Sequence, residues 1–163
     1  MTPEWLFLLP LSSIKVSAKR YDVDPALVAA LVWQESRGRR FATRYEEFYR
    51  WTNDVARHAK RHMITYSSEE YLQKQSYGLM QMMGGTARYI GFTDPLPTLF
   101  DTDTNLDWGV KYFKTLVDRY RSTPDAISAY NQGSPRKDAS GEYRNQKYVL
   151  SVLGYRDEIN ITR

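Results

Sequence analysis

A chain of 163 residues is long enough to bury a core in one domain without metals or disulfides. It contains no cysteine, which excludes disulfides, zinc–thiolate centres and thiol nucleophiles. The net charge of +4 is concentrated: residues 37–61 hold eight Lys and Arg against Glu46, Glu47 and Asp54, a local +5 that leaves −1 for the rest. Such a stretch is either a solvated helix face or a surface for an anionic partner.

The N-terminal MTPEWLFLLPLSS is a short apolar run interrupted by Pro10, without the basic start of a signal peptide. The chain as given is therefore expected to carry no export signal, and no stretch approaches membrane-spanning length. Ser12 or Ser13 can cap a first helix to about Tyr21, with Ile14 and Ala18 inward. Next comes DPALVAALVWQESRG, Asp24 to Gly38, the best-defined helix of the chain. Asp24 is a cap, Pro25 suits the first turn and Gly38 suits a left-handed stop. The stretch is apolar on nearly every side, which predicts a central helix with Glu35 carried at its end. A helix C-terminus and apolar neighbours both disfavour a carboxylate's charge, so an acid there is expected to hold its proton more readily than usual.

Phe48, Trp51, Val55, Ala59 and His62 recur at helical spacing and predict an amphipathic helix over Glu46–His62 with a basic outer side. Ser67 with Glu70 reads as a capping box opening a short helix, and a hairpin is conceivable near Met63–Ser67. Gly78 and Gly84–Gly85 bracket a short segment, Thr86–Ile90 is one further helix, and Gly91–Pro97 is loop. Leu106, Val110, Phe113, Val117 and Tyr120 form one apolar stripe over 103–121. Thr123-Pro124 starts a helix that Gly133 stops, a polar loop follows to Tyr143, and Asn145–Leu153 forms the last helix. The fold expected is mainly α, a compact helical domain with at most a short β-hairpin.

Few residues can carry chemistry. His58 and His62 stand four apart, but no third His or any Cys completes a metal site, and cations surround them. No phosphate-binding glycine loop and no nucleophile elbow occurs. Thirteen Tyr and four Trp can build a core or stack on sugars. What remains is Glu35-Ser36, then Ser76-Tyr77-Gly78-Leu79-Met80-Gln81, then Ala129-Tyr130-Asn131-Gln132-Gly133. Each is weak alone: a terminal Glu is usually a partly exposed charge, and Gln81 in an apolar run can be a satisfied buried amide.

Taken in this order, the three segments resemble the lytic transglycosylase domain of the lysozyme-like superfamily, related to goose-type lysozyme. The family's catalytic Glu followed by Ser matches Glu35 and Ser36. Its Ser-x-Gly-Leu-Met-Gln matches Ser76, Gly78, Leu79, Met80 and Gln81, and its Ala-Tyr-Asn-x-Gly matches Ala129, Tyr130, Asn131 and Gly133. A late family tyrosine matches Tyr148, and the helix near Asn105 with Gly109 is similar to the family's core helix. The likeness spans roughly Ser12 to Leu153. It departs in the forty residues between Glu35 and Ser76, a basic helical insertion at about 44–75, and in the basic Arg136 and Lys137 after Gly133. Within the insertion, Arg44-Tyr45-Glu46 looks like a segment of some phage endolysins.

The resemblance implies a single lysozyme-like catalytic domain over 1–163, with Glu35 as acid and then base. Such an enzyme cleaves the bond between N-acetylmuramic acid and N-acetylglucosamine in peptidoglycan with 1,6-anhydro ring formation. Ser36, Ser76, Gly78, Met80, Gln81, Tyr130, Asn131 and Tyr148 would bind substrate or orient the acid, and Met80 and Trp33 would supply apolar surroundings. It implies no metal, no cofactor and no nucleic acid, and a monomer is expected. A hydrolytic muramidase would instead need a second acid to hold a water, at about 6.5–9.5 Å for an inverting pair, with Glu46 the best placed in sequence. A non-catalytic module using the basic helix on an anionic glycan is the reading from another class. The setting expected is a phage endolysin or virion-associated lysin, bacteriolytic and antimicrobial, passing from host cytoplasm to periplasm, or else a mature periplasmic enzyme. The Glu46–His62 helix would then meet an anionic outer-membrane surface.

Overall fold

The computed structural model describes residues 2–161. Among them are eight α-helices and one small antiparallel sheet of three strands, so the fold is mainly α, as the periodicity predicts. The chain divides into two compact units, residues 1–38 with 110–163, and residues 39–109.

The first unit is built on α2, Pro25–Ser36. Ala26 to Val32 are all buried, because a helix apolar on every side can only be satisfied by neighbours all round. Asp24 caps it by accepting from the Ala26 amide at 2.9 Å. Its end differs from the expected glycine stop: Arg37 already takes the left-handed conformation (φ 55°), and Gly38 follows at φ 75°. A Cβ on Gly38 would lie 2.9 Å from the Leu8 carbonyl oxygen, so both conformation and space require glycine there. α1 (Leu11–Tyr21) packs on α2, buries Ile14 and Ala18, and ends on a left-handed Asp22. α7 (Thr123–Gln132) is stopped by Gly133 as expected, but its cap is Ser122, one residue before the Thr123 that cap-then-proline spacing points to. α8 (Gln146–Ile161) packs on both α2 and α7. It runs past the expected Leu153 end, since Gly154 is tolerated inside it and Ile159 beyond is buried.

The second unit holds β1 (Thr43–Tyr45), α3 (Val55–His62), α4 (Tyr66–Gln73), β2 (Gln75–Tyr77), β3 (Met82–Met83) and α5 (Gly84–Tyr89). The central strand β2 pairs with β1 (Arg44 opposite Ser76) and with β3 (Tyr77 opposite Met82). No strand forms at Met63–Ser67: α4 starts there, capped by Thr65 on the Ser68 amide rather than by Ser67. The predicted helix over Glu46–His62 is real only from Val55. The Gln73 side chain explains this, taking the Asn53 N–H at 2.6 Å and giving its own N–H to the Asn53 carbonyl at 2.9 Å. Those backbone groups are thereby withdrawn from a helix, and Asp54 turns left-handed before α3 begins. Phe48 and Trp51, expected inside, are exposed, whereas Val55, His58 and Ala59 are buried. Arg57, Lys60 and Arg61 lie on the exposed side of α3.

Glu69 and Arg88 are fully buried and form a two-point ion pair, Nε–Oε1 2.8 Å and Nη2–Oε2 3.2 Å. Arg88 also donates to the Phe92 and Asp94 carbonyls, and Glu69 accepts from Gln73. Arg88 thus uses four of its five N–H groups and Glu69 both carboxylate oxygens, and such satisfaction is what makes a buried pair tolerable in a core. α6 (Thr102–Tyr120) contributes 102–109 to this unit and 110–120 to the other; Leu106, Val110 and Phe113 of its stripe are buried.

Candidate functional site

Glu35 stands in the last turn of α2, half-buried. The Tyr148 hydroxyl, from the first turns of α8, donates to its Oε1. The close packing of α8 on α2 creates this contact between residues 113 apart in sequence. Burial first, and then the Glu35 charge and this hydrogen bond, push the Tyr148 hydroxyl pKa well above its ordinary value. Tyr148 is thus a permanent donor at physiological pH. Tyr130 is pushed up in the same way, by burial and then by the Glu35 charge, and its ring lies against Tyr112 (5.6 Å) and Phe113 (5.9 Å). Two neutral phenols therefore flank one carboxylate.

Beside them a small amide network fixes Asn131. Asn145 Nδ2 donates to the Ser128 carbonyl (3.1 Å) and to Asn131 Oδ1 (2.9 Å), and its Oδ1 accepts from Ser128 Oγ (2.8 Å). A carbonyl can only accept, so the Ser128 contact decides which Asn145 atom is nitrogen, and that in turn turns the Asn131 oxygen inward. Asn131 is exposed and presents its amide nitrogen as a donor. Ser36, by contrast, is buried with its hydroxyl on the Val32 carbonyl at 3.1 Å.

The Ser76–Gln81 segment belongs to the second unit, where it is the β2–β3 hairpin. Gly78 (φ 68°) and Gln81 (φ 49°) take the left-handed turns. A Cβ on Gly78 would stand 2.7 Å from Asn105 Nδ2. Asn105, buried on α6, holds this turn by accepting from the Met80 amide and donating to the Tyr77 and Leu99 carbonyls. Gln81 braces it from the other side, giving N–H to the Ala42 and Gly78 carbonyls and accepting from Ser76 Oγ at 2.8 Å. Met80 is buried against Gly109, where an added Cβ would approach the Met80 Cβ to 2.9 Å. Glu46 forms an ion pair with Arg44.

A family model described as the transglycosylase SLT domain matches residues 12–149, most of the chain. The chain belongs to that family. Peptidoglycan cleavage of the lytic-transglycosylase type is therefore its activity at the level of the family, and the SLT domain is a glycosidase-class enzyme acting on the cell-wall polymer. Within this SLT domain the structure places Glu35, Tyr130, Asn131 and Tyr148 in one unit, and Glu46, Ser76, Gly78, Met80 and Gln81 in the other. Sequence reasoning did not single out Asn105 or Asn145 as supports. The available signal was an Asn in a helix's first turns, or just before them, near a motif, which is too common to read alone. Among the described residues no cluster of three or more metal-ligating side chains occurs.

Proposed function

We propose that this SLT domain is a lytic transglycosylase that cleaves the N-acetylmuramic acid–N-acetylglucosamine bond with Glu35 as its sole acid–base. The observation that carries this reading is the Tyr148 hydroxyl on the Glu35 carboxylate, with Tyr130 beside it. Protonated Glu35 gives its proton to the glycosidic oxygen, the C1–O bond breaks, and the substrate's acetamido group steadies the positive C1. The C6 hydroxyl oxygen then bonds to C1, and its proton passes to Glu35, which restores the acid. No water is consumed, and the product carries a 1,6-anhydro ring. One carboxyl serves twice where ordinary glycosidases use two. Tyr148 holds the carboxyl in one orientation through both steps, and a donor that never ionises suits a group alternating between acid and base.

Asn131 supports the same reading, since the Asn145 network leaves it offering an N–H to an acceptor such as an N-acetyl carbonyl. The direct test is Glu35→Gln, which keeps size and hydrogen bonding but removes the transferable proton. Lysis of purified wall should fall by about 10²–10⁴-fold, the usual worth of positioned acid–base catalysis, with circular dichroism unchanged. A folded Glu35→Gln protein with near wild-type activity would overturn the assignment.

A further inference from the structure

A cavity of about 460 Å³ opens beside Tyr148, lined from the end of α2 by Gln34 and Arg37 and from the start of α8 by Asn145, Lys147 and Ser151. Its charged lining is Arg37 and Lys147, with no acidic side chain among the lining residues. Two of its lining residues lead to the acid: Tyr148, whose hydroxyl donates to Glu35, and Gln34, the residue before Glu35 in α2.

Arg37 is held rather than loose. Its guanidinium lies 5.0 Å from the Trp33 ring centre and 5.4 Å from that of Tyr155, and Nη1 donates to the Tyr155 hydroxyl at 3.0 Å. Trp5 stacks on Trp33 at 5.3 Å and meets Tyr155 edge-on, which locks both supporting rings. The backbone of Arg37 is left-handed, a conformation that disfavours any Cβ and that glycine would adopt without strain. A side chain kept in that conformation and clamped between two rings is a preorganised cation. Among the described residues neither Arg37 nor Lys147 forms an ion pair, and Arg37 is held by the Trp33 and Tyr155 rings and the Tyr155 hydroxyl.

A fixed guanidinium and a second ammonium around an open cavity are suited to carboxylates, which the planar guanidinium can bind at two points. The muramic residue of the wall polymer bears such groups, because its lactyl ether carries an acidic peptide. We propose that the Arg37–Lys147 cavity binds the carboxylates of that peptide, so that the enzyme reads the peptide stem while Glu35 acts on the sugar. This rests on the assignment of Glu35 as the acid acting at the muramic bond.

The test compares soluble glycan strands bearing their peptides with the same strands stripped by an amidase, which leaves only the lactyl carboxylate. Wild-type protein is expected to show a kcat/KM about tenfold higher on peptide-bearing strands, the scale of one charged hydrogen bond. Arg37→Met with Lys147→Met should bring the two substrates together, mainly by raising KM for the peptide-bearing one. Lys147→Met alone, at an exposed position, should move the ratio part of the way and guards against misfolding of the double variant. A wild type indifferent to the peptide, or variants that lose activity equally on both strands, would overturn the proposal. Failure of the underlying assignment reads out separately, as persistent activity of Glu35→Gln on either strand.

Discussion

Tyr148 is the residue whose removal says most about how Glu35 works. Tyr148→Phe deletes one hydroxyl and leaves the ring in its place between α2 and α8. A hydrogen bond to a charged group is worth about 1.5–3 kcal/mol, so kcat should drop by about 10–100-fold while KM changes little. Stopped assays on purified wall check this, and an unchanged kcat would remove Tyr148 from the mechanism. Its contact with Glu35 was legible in the sequence only through its position after the Ala-Tyr-Asn-x-Gly segment; nothing in YVLSVL itself distinguishes a core tyrosine from one facing an acid. Glu35 was more legible, because a carboxylate ending an otherwise apolar helix contradicts its surroundings. The motif did not show that the Ser36 hydroxyl donates to the Val32 carbonyl within its own helix. Gln81 was read as either a ligand group or a satisfied amide, and the hairpin that satisfies it involves Ala42, a contact across thirty-nine positions.

Among the elements, α2 was readable because cap, proline and apolar content all agree within fifteen residues. α3 was not, because what truncates it is the Gln73 amide twenty residues downstream. The buried Glu69–Arg88 pair ties α4 to α5 in the second unit, and neither member carries a sequence signal. Arg88→Met would leave Glu69 charged and unpaired in the core and orphan two carbonyls. The expected cost is about 3–5 kcal/mol, seen as a fall in Tm and in the urea midpoint. A loss below about 1 kcal/mol would mean that the pair is dispensable.

His58 adds a pH dependence to the same region. It is 4% exposed, its Nδ1 has no hydrogen-bond partner among the described residues, and burial first, then the Arg88 charge, lower its pKa below 6.5. Glu69 and Asp54 oppose that shift, and Arg57 adds to it. The folded state therefore prefers neutral His58. Its stabilisation is complete above the unfolded value of 6.5 and is lost as pH falls through the lower folded value. Between about pH 7 and pH 5, Tm of the wild type should fall more steeply than that of His58→Phe. Parallel curves would show that His58 does not titrate on unfolding.

For the whole molecule, the mainly α fold followed from helical periodicity and from the absence of any long alternating run. The three-stranded sheet escaped because its strands are two or three residues long, too short for a period to show. The charge asymmetry was legible as composition, with the exposed Arg57, Lys60 and Arg61 at its centre. Membership of the SLT family fixes the class of reaction on the wall polymer, and the remaining question is where the C1 cation goes once the bond breaks. Capture by the C6 hydroxyl needs a single carboxyl, the part proposed for Glu35; capture by water with inversion needs a second base, and Glu46, the acid considered for that task, is paired with Arg44. Mass spectrometry of the muropeptides released from purified wall distinguishes the two outcomes directly. Products ending in 1,6-anhydro-N-acetylmuramic acid, one water lighter than the hydrolytic ones, are expected; products with reducing N-acetylmuramic acid ends would contradict the single-acid transglycosylase.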